Sequence, residues 1–148
     1  MKSTTLKLTL LFTAAAFLMP GWASATTQDA INIVNKIRAA EGLPKSDVLI
    51  DLRGYLPRGK KVERRVQLRA GLVYTIVVAG CDDAGEVDFT ICDDDWAVLA
   101  KKGFYGKRGY GGGTVLRFKP TYTGLHRLVF FMEQSTPDGA HYAIQICE

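Results

Sequence analysis

Residues 62–79 read VERRVQLRAGLVYTIVVA, and the fold turns on how they are read. In the first half, Val62, Val66 and Leu68 alternate with Glu63, Arg65, Gln67 and Arg69. That two-residue period is a strand with one wet face. After Gly71, residues 72–79 are apolar on both faces, the pattern of a central strand covered on both sides. Working outward, Val48, Ile50 and Leu52 alternate with Asp47, Asp51 and Arg53. Residues 87–92 turn Phe89 and Ile91 inward, with Asp88 and Thr90 outward. Further strands are expected at 96–100, 114–119, 125–133 and 140–147. Short strands at this spacing, with no alternation of strand and helix, predict an all-β fold: an antiparallel β-sandwich, jelly-roll-like.

One helix precedes the strands. Over residues 28–41, Ile31, Val34 and Ile37 recur at three-residue spacing, and Ala30 and Ala40 extend the stripe. Thr27 suits the N-cap, and Gly42 followed by Pro44 stops the helix. Residues 101–113, KKGFYGKRGYGGG, read as a loop.

Ahead of this domain, residues 1–25 read as a signal peptide. Lys2 and Lys7 give the positive start, and Leu8 to Met19 an apolar run too short for a comfortable membrane span. Ala23-Ser24-Ala25 is a small-x-small cleavage pattern. One domain, 26–148, is expected to remain, periplasmic or secreted and not membrane-spanning. Hydrophobic content of 47% with 23% charged residues excludes a disordered or collagen-like chain. Losing Lys2 and Lys7 takes the formal charge from +4 to +2, which gives no reason to expect nucleic acid as a partner.

Three segments carry a resemblance. They are Gly71-Leu-Val-Tyr74-Thr-Ile-Val-Val-Ala-Gly80, Asp88-Phe-Thr-Ile-Cys-Asp93 and Phe118-Lys-Pro-Thr-Tyr-Thr-Gly124-Leu-His126. Over about residues 60–148 the chain resembles the bacterial pre-peptidase C-terminal domain. The resemblance implies a jelly-roll-like sandwich that is not itself catalytic, of a kind that sits beside secreted enzymes or binds polymers. The chain departs from that pattern in its N-terminal helix and in His126, where the family favours Tyr.

Cysteines, histidines and serines bear on catalysis. If successive strands run antiparallel, Cys81 lies at one end of the sandwich, while Cys92 and Cys147 lie at the other. Six strand residues span about 20 Å, far beyond disulfide reach. A Cys92–Cys147 disulfide is therefore expected, with Cys81 free or intermolecular. Asp82 and Asp83 beside Cys81 oppose thiolate formation, so a cysteine nucleophile is disfavoured. His126 shares a face with Leu128 and Phe130 and reads as a hydrogen-bonded core ring, whereas His141 opens a strand. No metal-ligand spacing joins these residues, and neither Ser46 nor Ser135 lies in Gly-x-Ser-x-Gly. No catalytic residue, metal or cofactor is expected.

Charge is unevenly spread. Residues 81–95 hold seven acids, but the same strand count puts Asp82, Asp83 and Glu86 at one end and Asp93, Asp94 and Asp95 at the other. They read as solvated turn residues, against a calcium site that needs many oxygens around one point. Residues 53–69 carry Arg53, Arg58, Lys60, Lys61, Arg64, Arg65 and Arg69 against Glu63 alone. They form a solvated face or an attraction for anionic polymers. In 101–113, cations interleave with aromatics, which makes Phe104, Tyr105, Lys107, Arg108 and Tyr110 the candidate ligand-binding residues. The leading expectation is a non-enzymatic binding module for a polysaccharide, a cell-envelope component or a protein. The alternatives are an accessory subunit assembled through helix 28–41 and Cys81, and, ranked last, a small hydrolase.

Overall fold

The computed structural model describes residues 25–107 and 111–148. The expected leader, apart from Ala25, lies outside the described residues, as do Arg108 and Tyr110. One helix, α1 (Thr27–Ala40), precedes eight strands. These are β1 (Val48–Leu56), β2 (Lys60–Leu68), β3 (Tyr74–Gly80), β4 (Ala84–Cys92), β5 (Val98–Tyr105), β6 (Gly112–Phe118), β7 (Gly124–Ser135) and β8 (Ala140–Cys147).

The strands form two four-stranded sheets, ordered β1-β8-β3-β6 and β2-β7-β4-β5, with every pairing antiparallel. The chain changes sheet at most of its turns, so early and late strands interleave in both layers. This wrapping is a jelly roll, and it confirms the expected sandwich. The core lies between the layers. Phe130 of β7 and Tyr142 of β8 stack across it with ring centroids 4.6 Å apart. That contact sets the parity of both strands, so Leu128, Met132, Ile144 and Ile146 also point inward, and all are buried. Phe89 lies opposite Phe130 in register and joins them.

Helix α1 lies against β3, β8 and β6, on the outer face of the first sheet. It buries Ala30, Ile31 and Val34 there, over Val77, Ala79 and Ala143. This cover explains why β3 is apolar on both faces, while Val73, just ahead of it, is exposed. Its N-cap is Thr26, one residue before the expected Thr27: Thr26 Oγ1 accepts from the Asp29 amide, and the Asp29 carboxylate accepts from the Thr26 amide at 2.6 Å. Ala40 points to solvent. Arg38 takes the buried place instead, with Nε donating to Gln145 Oε1 at 3.1 Å. Among the described residues no helix lies over the outer face of the second sheet.

Two expectations are corrected. The stretch 101–113 is mostly strand: β5 continues to Tyr105 and β6 begins at Gly112, leaving only 106–111 as the connection. Lys101 lies on the wet side of this edge strand, with Nζ 2.6 Å from Asp88 on the neighbouring strand, while Lys102, on the other face, donates to the Val115 carbonyl at 2.7 Å. The Cys92–Cys147 disulfide is absent, and all three cysteines are free and buried. The two residues do share an end of the sandwich, but they belong to different sheets and opposite faces. Ile91 and Ile146 point inward, so Cys92 and Cys147 point outward from their own layers. Both sheets stand between the sulfurs, and facing sheets are about 10 Å apart.

Candidate functional site

Alternating strand directions bring four connections to one end of the sandwich: 57–59, 81–83, the β5–β6 connection at Gly106, Lys107 and Gly111, and 136–139. The β3–β4 turn is tight, with the Ala84 amide donating to the Cys81 carbonyl at 2.9 Å. It is tied to the β7–β8 turn by the Thr136 amide, which donates to the Asp83 carbonyl at 3.1 Å. It is tied to the β5–β6 connection by the Gly106 amide, which donates to the Gly85 carbonyl at 2.6 Å. Gly106 comes so near the Ala84 carbonyl that any side chain would collide with it.

These three connections enclose a cleft of about 340 Å3, lined by Asp82, Asp83, Gly106, Gln134, Ser135 and Thr136 among others. Its polar groups are mostly acceptors. Ser135 Oγ donates to the Thr136 carbonyl and Thr136 Oγ1 to the Gly139 carbonyl, both at 2.9 Å, so each hydroxyl has spent its proton inside the turn. The Gln134 amide donates to Glu86 at 3.0 Å. Asp82 and Asp83 form no ion pair among the described residues. A ligand seated here must therefore bring donors, as a hydroxyl-rich or amine-bearing molecule does.

A second hollow of about 230 Å3 adjoins on the outer side of β4 and β5, lined by Glu86, Val87, Asp88, Gly103, Phe104 and Tyr105. Tyr105 is 78% exposed and is the most accessible large apolar group in this region. A hydrogen bond to Glu86, followed by the charge of the same carboxylate, pushes its hydroxyl above the ordinary phenol range.

The expected ligand-binding residues divide. Tyr105 and Lys107 are exposed at this end, and the Lys107 amide donates to the Gly111 carbonyl at 3.1 Å. Phe104 is 8% exposed. Strand parity turns it inward beneath Gly112, which removes it from the contact surface. Arg108 and Tyr110 lie outside the described residues. Gln134, Ser135 and Thr136 were not expected from the sequence as ligand-binding residues, Ser135 having been weighed only as a nucleophile. Their signal was the turn cluster 135–139, STPDG, which the strand count would have placed beside Asp82 and Asp83.

The groups weighed for catalysis are otherwise engaged. Burial pushes the Cys81, Cys92 and Cys147 thiols up, and at Cys81 the charge of Asp83 is a lesser contribution. His141 Nδ1 lies 2.8 Å from Thr27 Oγ1, and its amide donates to Cys81 Sγ at 3.2 Å. His126 is fully enclosed at the opposite end of the sandwich. The described residues contain no group of three or more His, Cys, Asp and Glu side chains placed to hold a metal ion. No helix among them is long and apolar enough to cross a membrane.

No protein-family model matches the chain, and no curated protein matches it. Solved structures of similar fold do. The chain is similar to the pre-peptidase C-terminal domain of a Bacillus anthracis collagenase, with a TM-score of 0.45, 14% identity, and 66% of this chain and 87% of that one covered. It is also similar to a periplasmic inhibitor of g-type lysozyme from Aeromonas hydrophila, at TM-score 0.45 and 15% identity over 70% and 90%. A family 16 carbohydrate-binding module gives a TM-score of 0.43 and 16% identity over 64% and 74%. The first of these is the family whose motifs the three quoted segments resemble.

Proposed function

We propose that the chain is a non-enzymatic binding module acting in the periplasm or outside the cell, and that its ligand is a hydroxyl-rich component of the envelope, a polysaccharide first of all. The observation that carries this reading is the acceptor-lined cleft held by three mutually bonded connections. Tyr105 stands beside it as an apolar platform, and Lys107 lies at the edge. Carboxylates in such a cleft accept from neighbouring sugar hydroxyls, and a tyrosine ring covers the apolar face of a pyranose. The non-enzymatic part rests on the groups a hydrolase would need. The thiols are buried and held protonated, and His126 and His141 sit at opposite ends without a shared nucleophile. The compartment rests on the leader read in residues 1–25.

The assembly alternative loses both its devices. The apolar stripe of α1 is spent on the molecule's own sheet, and Cys81 is fully buried.

The test is retention on insoluble envelope polysaccharides and peptidoglycan, compared with Asp83→Ala and Tyr105→Ala. Each substitution is expected to weaken retention about tenfold while leaving the melting temperature unchanged. Retention that survives both, or turnover of any polysaccharide by the unmodified chain, would count against this assignment.

A further inference from the structure

We propose that the β2 edge of the sandwich is a second contact surface, separate from the cleft, and that it takes a linear anionic polysaccharide bearing carboxylates or sulfates. Strand β2 is the outermost strand of the sheet without a helix. Arg58, Lys60, Lys61, Arg64, Arg65 and Arg69 are all exposed along it and its flanks. The one carboxylate among them, Glu63, is already engaged. Arg127 binds it at 2.7 Å, and Arg65 approaches it at 3.5 Å. Arg58, Lys60, Lys61, Arg64 and Arg69 have no carboxylate partner among the described residues. Strand parity divides them. Lys61 and Arg69 lie on the outer face, about 27 Å apart at about 3.4 Å per residue. Lys60 and Arg64 share the parity of the inward Met132 and Leu128 and reach solvent at the open edge, so the uncompensated charge follows the edge rather than one face.

Trp96 is the second observation. The β4–β5 turn holds it at φ 65°, a left-handed conformation that costs a bulky residue about 1–3 kcal/mol. The turn is braced by the Asp93 carboxylate, which accepts from the amides of Asp95 and Ala97 at 2.9 and 2.8 Å. The result is an indole 47% exposed, with the Arg127 guanidinium 4.6 Å and Lys61 Nζ 5.7 Å from its centroid. A flat aromatic surface at the head of a row of free cations suits a charged sugar. The ring takes the C–H face, and the cations take the anions.

Other polyanions fit less well. A flat anionic membrane would also meet Glu133 and the paired Asp88 on the same sheet, whereas a chain laid along the edge meets only Asp94 beside Trp96, and that carboxylate is held by Arg127 at 3.6 Å. A nucleic acid strand seeks several stacking rings along a basic groove. Trp96 is the one ring placed over these cations among the described residues.

The experiment titrates the full chain with heparin and with polygalacturonate at several salt concentrations. Duplex DNA and phosphatidylglycerol vesicles are the competing probes. The unmodified chain is expected to bind both polysaccharides more tightly than either competitor. Lys61→Gln/Arg69→Gln should weaken binding at least tenfold and flatten the salt dependence. Trp96→Ala should weaken it with the salt dependence kept, and Trp96→Phe should restore part of the loss. Asp83→Ala should leave it unchanged, which separates this surface from the cleft. Melting curves confirm that each variant is folded. Absence of polysaccharide binding at low salt, preference for DNA or vesicles, or indifference to Lys61→Gln/Arg69→Gln would each overturn the proposal.

Discussion

His126 shows what a single enclosed polar group does in this core. Its Nδ1 donates to the Gly124 carbonyl at 3.0 Å, and its ring stacks on Tyr122 with centroids 4.5 Å apart. Phe118 meets it edge-on at 5.7 Å, and Nε2 has no partner. An unpartnered buried nitrogen forgoes hydration with nothing in return, typically about 1–3 kcal/mol. His126→Phe keeps an aromatic ring and removes that nitrogen but also the Nδ1 bond to the Gly124 carbonyl. The two effects offset, so thermal denaturation should show stability within about 1 kcal/mol of the unmodified chain. His126→Ala leaves a cavity and should lose about 2–3 kcal/mol. The enclosed ring was legible in the sequence, because His126 shares parity with Leu128 and Phe130. Phe104 was not legible, because parity has no meaning until its segment is known to be a strand. The faces of Cys92 and Cys147 were legible in principle, since each follows an inward isoleucine. Their shared end was read, and their opposite faces were not.

At the scale of elements, α1 turns one sheet into a two-sided core layer. Val34 is fully buried between the helix and that sheet. Val34→Asp would place an unpaired carboxylate there and should destabilise the protein by about 3 kcal/mol or more, measured by urea denaturation. The central strand was readable because burial on both sides leaves no polar alternation. The helix was readable from its apolar spacing, but its last buried position was not. Arg38 displaces Ala40 because its guanidinium reaches Gln145 across the interface, and spacing carries no sign of that partner. Residues 101–113 failed for a related reason. Their glycines resemble a flexible tract, yet Gly106 is there because the Ala84 carbonyl comes too close for a side chain, and Gly113 because Ile37 of α1 packs on it.

For the whole molecule, three buried thiols shape the response to pH. Burial raises each above the ordinary thiol value of 9.0. A group raised in the folded state favours folding fully below its unfolded value and loses that contribution as pH climbs through the folded one. The urea midpoint should therefore hold near pH 8 and fall as pH climbs above the ordinary thiol value of 9.0. A Cys81→Ala/Cys147→Ala variant should fall less steeply over the same window, and an identical slope would refute the assignment to thiols. The jelly-roll class followed from strand spacing and turns. The pairing order did not, because antiparallel direction alone is compatible with many ways of distributing eight strands between two layers.

The start of α1 and the end of β8 lie at opposite poles of the sandwich. Thr27, at the start of α1, bonds His141 near the cleft, while Glu148 follows the far end of β8 and donates its amide to the Asp47 carbonyl. A tether fused after residue 148 would hold the domain upright, with its mouth facing away from the support. One fused ahead of the helix would crowd that mouth. Orientation on a chip, a bead or a neighbouring domain is thereby decided by which terminus is used.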